Sequence, residues 1–185
     1  MRKAADTRTR ILDISAELFA RKGFTGTSIS DIAGELGTTT AALYYHFPSK
    51  ADILAGLLAE PLEAYGRVID DLGVSHPSAE SLLSTMIDLT AGARGLGQII
   101  DRDPAVLPLI EQQLPRTSAE MQEAVIAALA GPDPSRAGLL RAQGALAVVK
   151  QATLVALELA GGSLQPEDRA EILAAALRVM NPESP

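Results

Sequence analysis

At 185 residues the chain can bury a substantial core in one large or two small domains. It has no cysteine and only His46 and His76, which excludes disulfides, a thiolate nucleophile and a cysteine zinc site, and leaves little for a multi-histidine metal centre. The net charge of −7 is unevenly spread: residues 1–50 hold seven Lys/Arg against five Asp/Glu, the rest nine against eighteen.

A basic head on an acidic body suits a protein that docks one end on nucleic acid. All the aromatics (Phe19, Phe24, Tyr44, Tyr45, Phe47, Tyr65) lie in the first 65 residues. That shift in composition divides the chain into a head, 1–50, and a body, 51–185. No apolar signal region opens the sequence, and no apolar run reaches the roughly 18–20 residues needed to span a bilayer. A soluble, cytoplasmic protein is expected.

In chain order, Arg2, Lys3, Arg8 and Arg10 form a basic arm that can reach phosphates or the minor groove, or merely solubilise the end. Ile11, Ile14, Leu18 and Phe19 give a helix over about 6–22, closed by Gly23. Thr27 and Ser28 can cap a second helix, whose first-turn amides attract phosphate. Ile29, Ile32, Ala33 and Leu36 line one face of it. Gly37 ends it, and Thr38 or Thr39 caps a third helix over about 39–47 that turns Leu43 inward and stops at Pro48. Two short helices joined by a glycine-containing turn make a helix-turn-helix. An ordinary helical hairpin also explains the apolar positions. It does not explain consecutive Tyr44, Tyr45 and His46, of which at least one must face outward. Thr39, Thr40, Ala41 and Tyr45 are the residues expected at base edges. The third helix has no Arg, Lys, Asn or Gln, so a large share of readout is expected from DNA shape.

Ser49 and Asp52 open a long helix to about Leu72, with Pro61 inside it, where a kink is expected. Helices follow over about 77–93, a short stretch through Ile100, a segment from Asp103 interrupted by Pro108 and Pro115, 121–129, 134–160, and from Pro166 onward. No segment alternates as a strand. The fold expected is all-α, about nine helices: a three-helix head and a C-terminal helical bundle. Helix 134–160 is apolar over most of its circumference, so it is either a central helix of a monomer or pairs with a second copy.

The runs Gly23-Phe24, Gly26-Thr27-Ser28-Ile29, Asp31-Ile32-Ala33, Leu36-Gly37 and above all Leu43-Tyr44-Tyr45-His46-Phe47-Pro48-Ser49-Lys50 resemble the N-terminal domain of the tetracycline-repressor (TetR) family, over about Thr9 to Leu58. The resemblance implies a regulator, by family habit a repressor, that binds double-stranded DNA at a near-palindromic operator. It implies a homodimer through helices near 134–160 and 166–180, and phosphate contacts from Thr27, Ser28, Tyr44, His46 and Lys50. With Thr38, Thr39, Thr40, Ala41 and Tyr45 these make the expected DNA-binding set. Lys50→Ala is then expected to lower the salt slope by about one. The resemblance also implies a small-molecule effector that releases DNA. Candidate lining residues are Leu58, Leu62, Tyr65, Met86, Thr90, Gln98, Arg102 and Met121, with Tyr65 the sole aromatic. A body that only dimerises or docks a protein, without a ligand, is the alternative. No nucleophile elbow, zinc motif, P-loop or dinucleotide fingerprint is present, so no catalytic residue, metal or cofactor is assigned and an enzyme is not expected.

Overall fold

A computed structural model describes residues 2–93, 97, 99–100, 102–112, 117–132 and 134–181. Among these the elements are α-helical apart from one 3-10 turn: α1 Arg2–Lys22, α2 Ile29–Leu36, α3 Thr40–His46, α4 Lys50–Leu72, α5 Ala79–Gly92, the turn Pro104–Val106, α6 Leu107–Glu111, α7 Ser118–Ala130, α8 Arg136–Leu159 and α9 Pro166–Met180. The all-α class and the helix-by-helix order expected from the sequence are observed. No described helix is long and apolar enough to cross a membrane.

The chain packs as two compact units, Met1–Leu62 with Gly95–Leu114, and Glu63–Arg94 with Pro115–Pro185. The units therefore do not part at residue 50. Ile53, Leu54 and Leu58 of α4 are buried in the head's core beside Ile11, Leu18, Phe19, Ile32, Leu43 and Phe47. Burying each such side chain contributes about 1.5–3 kcal/mol, which ties the first turns of α4 to the head. Helix α4 continues through Pro61, and the division falls just beyond it, where the ladder lacks one N–H. Ile99, Val106 and Ile110 join the same core from a segment far along the chain.

Local chemistry sets each head helix. Ser28 caps α2 by accepting from the Asp31 amide at 3.0 Å, and Asp31 accepts in return from the Ser28 amide at 2.8 Å, a capping box. Gly37 ends α2 at φ 67°, a conformation costly for any residue with a Cβ. Thr39 caps α3 by accepting from the Ala42 amide at 3.2 Å. Ser49 and Asp52 cap α4 in the expected way, the Asp52 amide donating to Ser49 Oγ at 3.1 Å.

In the second unit α8 packs on α9, α5 and α7. Its buried face is Ala142, Ala145, Leu146, Val149, Thr153, Ala156 and Leu157. Arg169 of α9 ties α5 through a bidentate pair with Asp88, at 2.8 and 2.7 Å, and a bond to Ser84 Oγ at 2.7 Å.

Candidate nucleic-acid interface

The turn and α3 present a continuous small-polar surface. Thr38, Thr39, Thr40, Ala41 and Ala42 are all exposed, while Leu43 and Phe47 are buried. A helix with one inward leucine and threonines outward can approach another surface closely, because nothing long stands between its backbone and the partner. Tyr44 is 52% exposed and Tyr45 86%, a large apolar ring held in water with an edge contact only to His46, 5.3 Å away. His46 is half-buried. Ser28 is exposed at the start of α2, whose first-turn amides carry the positive end of the helix dipole.

The cations are arranged differently from expectation. Lys50 does not extend to solvent. Its Nζ donates to the carbonyls of Phe24 at 2.6 Å and Thr27 at 2.7 Å, and lies 4.3 Å from the Phe24 ring centroid. Burial lowers its pKa, offset in part by the nearby Asp103 carboxylate. Thr27 is likewise inward: its hydroxyl is buried and donates to the carbonyl of Gly23 at 2.8 Å and of Leu18 at 3.3 Å. Both side chains are hydrogen-bonded within the head in this structure. The reason is local: the loop 23–27 leaves its carbonyls without helical partners, and Lys50 and Thr27 supply the donors.

Arg8, expected in a basic arm, donates to the His46 carbonyl at 3.2 Å and stacks 4.1 Å over the Phe47 ring, so its charge sits at the C-terminal, negative end of α3. The side chains of Arg2 and Lys3 lie outside the described residues. Arg10 is exposed and lines a cleft of about 270 Å³ with Gly37, Thr38, Ala42 and His46. Its guanidinium is therefore stationed beside the turn, where a phosphate could be met.

The ligand residues expected from the sequence are divided between the two units. Leu58 and Leu62 belong to the head's core, drawn there by the first turns of α4. Arg102 is exposed and donates to the Arg21 carbonyl at 3.1 Å, at the end of α1. Gln98 lies outside the described residues. Met86, Met121 and the partly buried Tyr65 and Thr90 are in the second unit, with the Thr90 hydroxyl already donating to the Met86 carbonyl at 2.7 Å. Burial raises the Tyr65 pKa. The second unit does hold an open cavity of about 840 Å³, elsewhere, between Ile69, Leu72 and His76 on one side and Ala124, Ala127 and Ala128 on the other. Small alanines on α7 leave that space unfilled, a signal the sequence carried but whose partner across the gap it did not name. Among the described residues no group of three His, Asp or Glu could hold a metal.

Residues 11–57 match the family described as bacterial regulatory proteins, tetR family. The HTH-type transcriptional repressor KstR2 of Rhodococcus jostii (strain RHA1) is 37% identical over 82 residues, 42% of this chain and 40% of that protein, so the chain spans well under half of that curated relative. Over nearly the whole chain, Mycobacterium smegmatis AmtR is similar at 28% identity and TM-score 0.72, covering 96% of this chain and 87% of that one. A transcriptional regulator from Aquifex aeolicus VF5 shares the fold at 18% identity and TM-score 0.67, covering 94% and 99%. The matched segment and the exposed turn-and-α3 surface agree: residues 11–57 form a helix-turn-helix head of the tetR type, within a chain that shares the fold of these regulators.

Proposed function

We propose that this regulator is a homodimeric repressor that reads a near-palindromic operator and is released by a small molecule. The observation that carries the DNA reading is the α3 surface, where Tyr45 stands 86% exposed beside a row of exposed threonines and alanines whose short side chains leave the backbone approachable. Threonine hydroxyls and methyls, with Ala41, fit direct but modest base contact, and the remaining specificity falls to groove shape. Ser28, Tyr44 and His46 serve as positioning contacts, with Arg10 in place of Lys50.

Dimerisation is supported by α8. Away from its buried face it exposes Leu140 at 65%, Val155 and Leu159 at 84%, with small Ala147 between them. An apolar stripe of this kind on a two-helix face suits a self-complementary partner. Two heads would then read major grooves about 34–36 Å apart, or a multiple of that.

The effector reading is supported by the cavity at the end of α4, whose volume falls within the range of small-molecule sites. Its walls are aliphatic, with Ser75 and His76 as polar groups, which favours a largely apolar ligand with few hydrogen-bonding atoms.

The test is selection from a random double-stranded DNA pool at near-physiological salt. Recovery of a near-palindrome with two half-sites is the expected result. Only weak, sequence-blind, steeply salt-dependent binding would overturn the operator reading.

A further inference from the structure

We infer that Asp103 is a positioning residue for DNA binding: it clamps the loop that leads into α2 from a segment far along the chain. The inference rests on the operator-binding reading above.

The loop 23–27 is held by several internal bonds. Gly23 N–H donates to the Phe19 carbonyl at 2.9 Å and Thr27 N–H to the Phe24 carbonyl at 3.3 Å. Lys50 takes the Phe24 and Thr27 carbonyls. The Thr25 amide is taken by Asp103 Oδ2 at 2.6 Å. Thr25 is exposed, so water could satisfy that amide as well. What the carboxylate adds is a fixed position for the loop, by a charge-assisted bond.

Asp103 is itself held in place. Its Oδ1 accepts from the Ala105 amide at 3.3 Å, opening the turn Pro104–Val106, and its own amide donates to the Ile99 carbonyl at 2.9 Å. Ile99, Val106 and Ile110 anchor the segment in the head's core, and Arg102 holds the Arg21 carbonyl. Gly23 leaves the room: a Cβ there would lie 3.2 Å from Asp103 Cβ, at a φ of 78°. The hydrogen bonds from Thr25 lower the Asp103 pKa, and the Lys50 charge adds to this. One loop is thus gripped from two sides, by Lys50 at the start of α4 and by Asp103. Its next residues are Ser28 and the first turn of α2, the candidate phosphate site. Residues 99–110 lie in sequence between α5 and α7, both of the second unit. A change in the body that withdraws this segment would take the acceptor from Thr25 and loosen the entry to α2 while leaving α3 chemically untouched.

The experiment compares Asp103→Ala and Asp103→Asn with the unaltered protein on a duplex that the unaltered protein has recovered from the random pool. Binding is measured at a temperature where circular dichroism shows all three fully folded. Asp103→Ala is expected to bind roughly tenfold more weakly, through loss of the charge-assisted hold on Thr25. Asp103→Asn keeps an oxygen acceptor for Thr25 and is expected to recover most of that loss. Amide exchange adds a readout whose first part needs no variant: in the unaltered protein the exposed Thr25 should exchange slowly, and in folded Asp103→Ala faster exchange should be confined to about residues 25–31 and the turn 103–106 that the same carboxylate caps. Equal binding by Asp103→Ala, or a rapidly exchanging Thr25 amide in the unaltered protein, overturns the role. A pool from which the unaltered protein recovers nothing overturns the operator-binding reading instead, and is recognised because Thr25 would still be protected.

Discussion

Lys50 donates to two loop carbonyls, so removing its ammonium takes that donor from the Thr27 carbonyl and leaves the Phe24 carbonyl with the Thr27 amide. Lys50→Ala should therefore lower stability by about 1–3 kcal/mol and leave the salt dependence of DNA binding nearly unchanged. Arg10→Ala should do the reverse. Its side chain is exposed beside the turn, so unfolding should shift by less than about 0.5 kcal/mol while the slope of log K against log salt falls by about one. Thermal unfolding and a salt titration on the same two variants separate the roles, and a reduced salt slope for Lys50→Ala would return it to the phosphates. The difference between these two cations was not legible in the sequence. Both sit in the basic head, and what distinguishes them is that Phe24 and Thr27, more than 20 residues before Lys50, leave carbonyls pointing at it. Leu43, by contrast, could be assigned to the core from spacing alone, because a short helix between a cap and a proline has only one side to bury.

The short helices of the head depend on their caps, since isolated helices of this length are marginal in water. In α2 the Asp31 carboxyl accepts from the Ser28 hydroxyl and pairs with Lys22 at 3.0 Å, and these partners, Ser28 foremost, hold its pKa well below the usual carboxylate range. A carboxylate stabilised in the folded state contributes fully above its unfolded pKa, and the contribution is lost as pH falls through the lowered folded value. The α2 cap should thus survive acidification through about pH 4, where free carboxylates titrate, and fail only below it. Carbon-detected NMR titration of the Asp31 carboxyl checks this, and a midpoint near the ordinary value would refute it. Ser28→Ala, which removes the cap acceptor, should cost about 1 kcal/mol. The sequence offered Thr27 and Ser28 alike as the cap of α2, and the structure selects Ser28, with Asp31 three residues on closing the box. The grip of Asp103 on Thr25 was not legible there, since a bond spanning 78 positions leaves no periodicity behind.

At the scale of the whole molecule, the helices of the second unit were legible from their breaks at Gly, Pro and capping residues, whereas its cavity was not. Cavity walls are set by which helix ends face each other, and aliphatic residues look alike whether they fill a core or line a space. Leu58 and Leu62 illustrate the point: they carry the same apolar pattern as Ile69 and Leu72 on one helix, yet the first pair packs in the head and the second lines the open space. The outer face of α8 supplies the remaining test. Leu140 and Val155 are exposed and lie near opposite ends of its apolar stripe. Glutamates at both positions would meet their symmetry mates or other apolar groups across a two-fold interface, burying uncompensated charge at a cost of about 3 kcal/mol or more. That should weaken dimerisation by 10²-fold or more. The same side chains are water-exposed in the protomer, so its unfolding should shift by no more than a surface substitution does, about 0.5 kcal/mol. Sedimentation velocity should then find a folded monomer where the unaltered protein is a dimer. DNA binding should fall to the affinity of one head on one half-site, because the second contact is no longer delivered at high effective concentration. A variant that stays dimeric would move the interface off this face of α8. A variant that becomes monomeric yet binds the full operator as tightly would show that two linked heads are not what reads it.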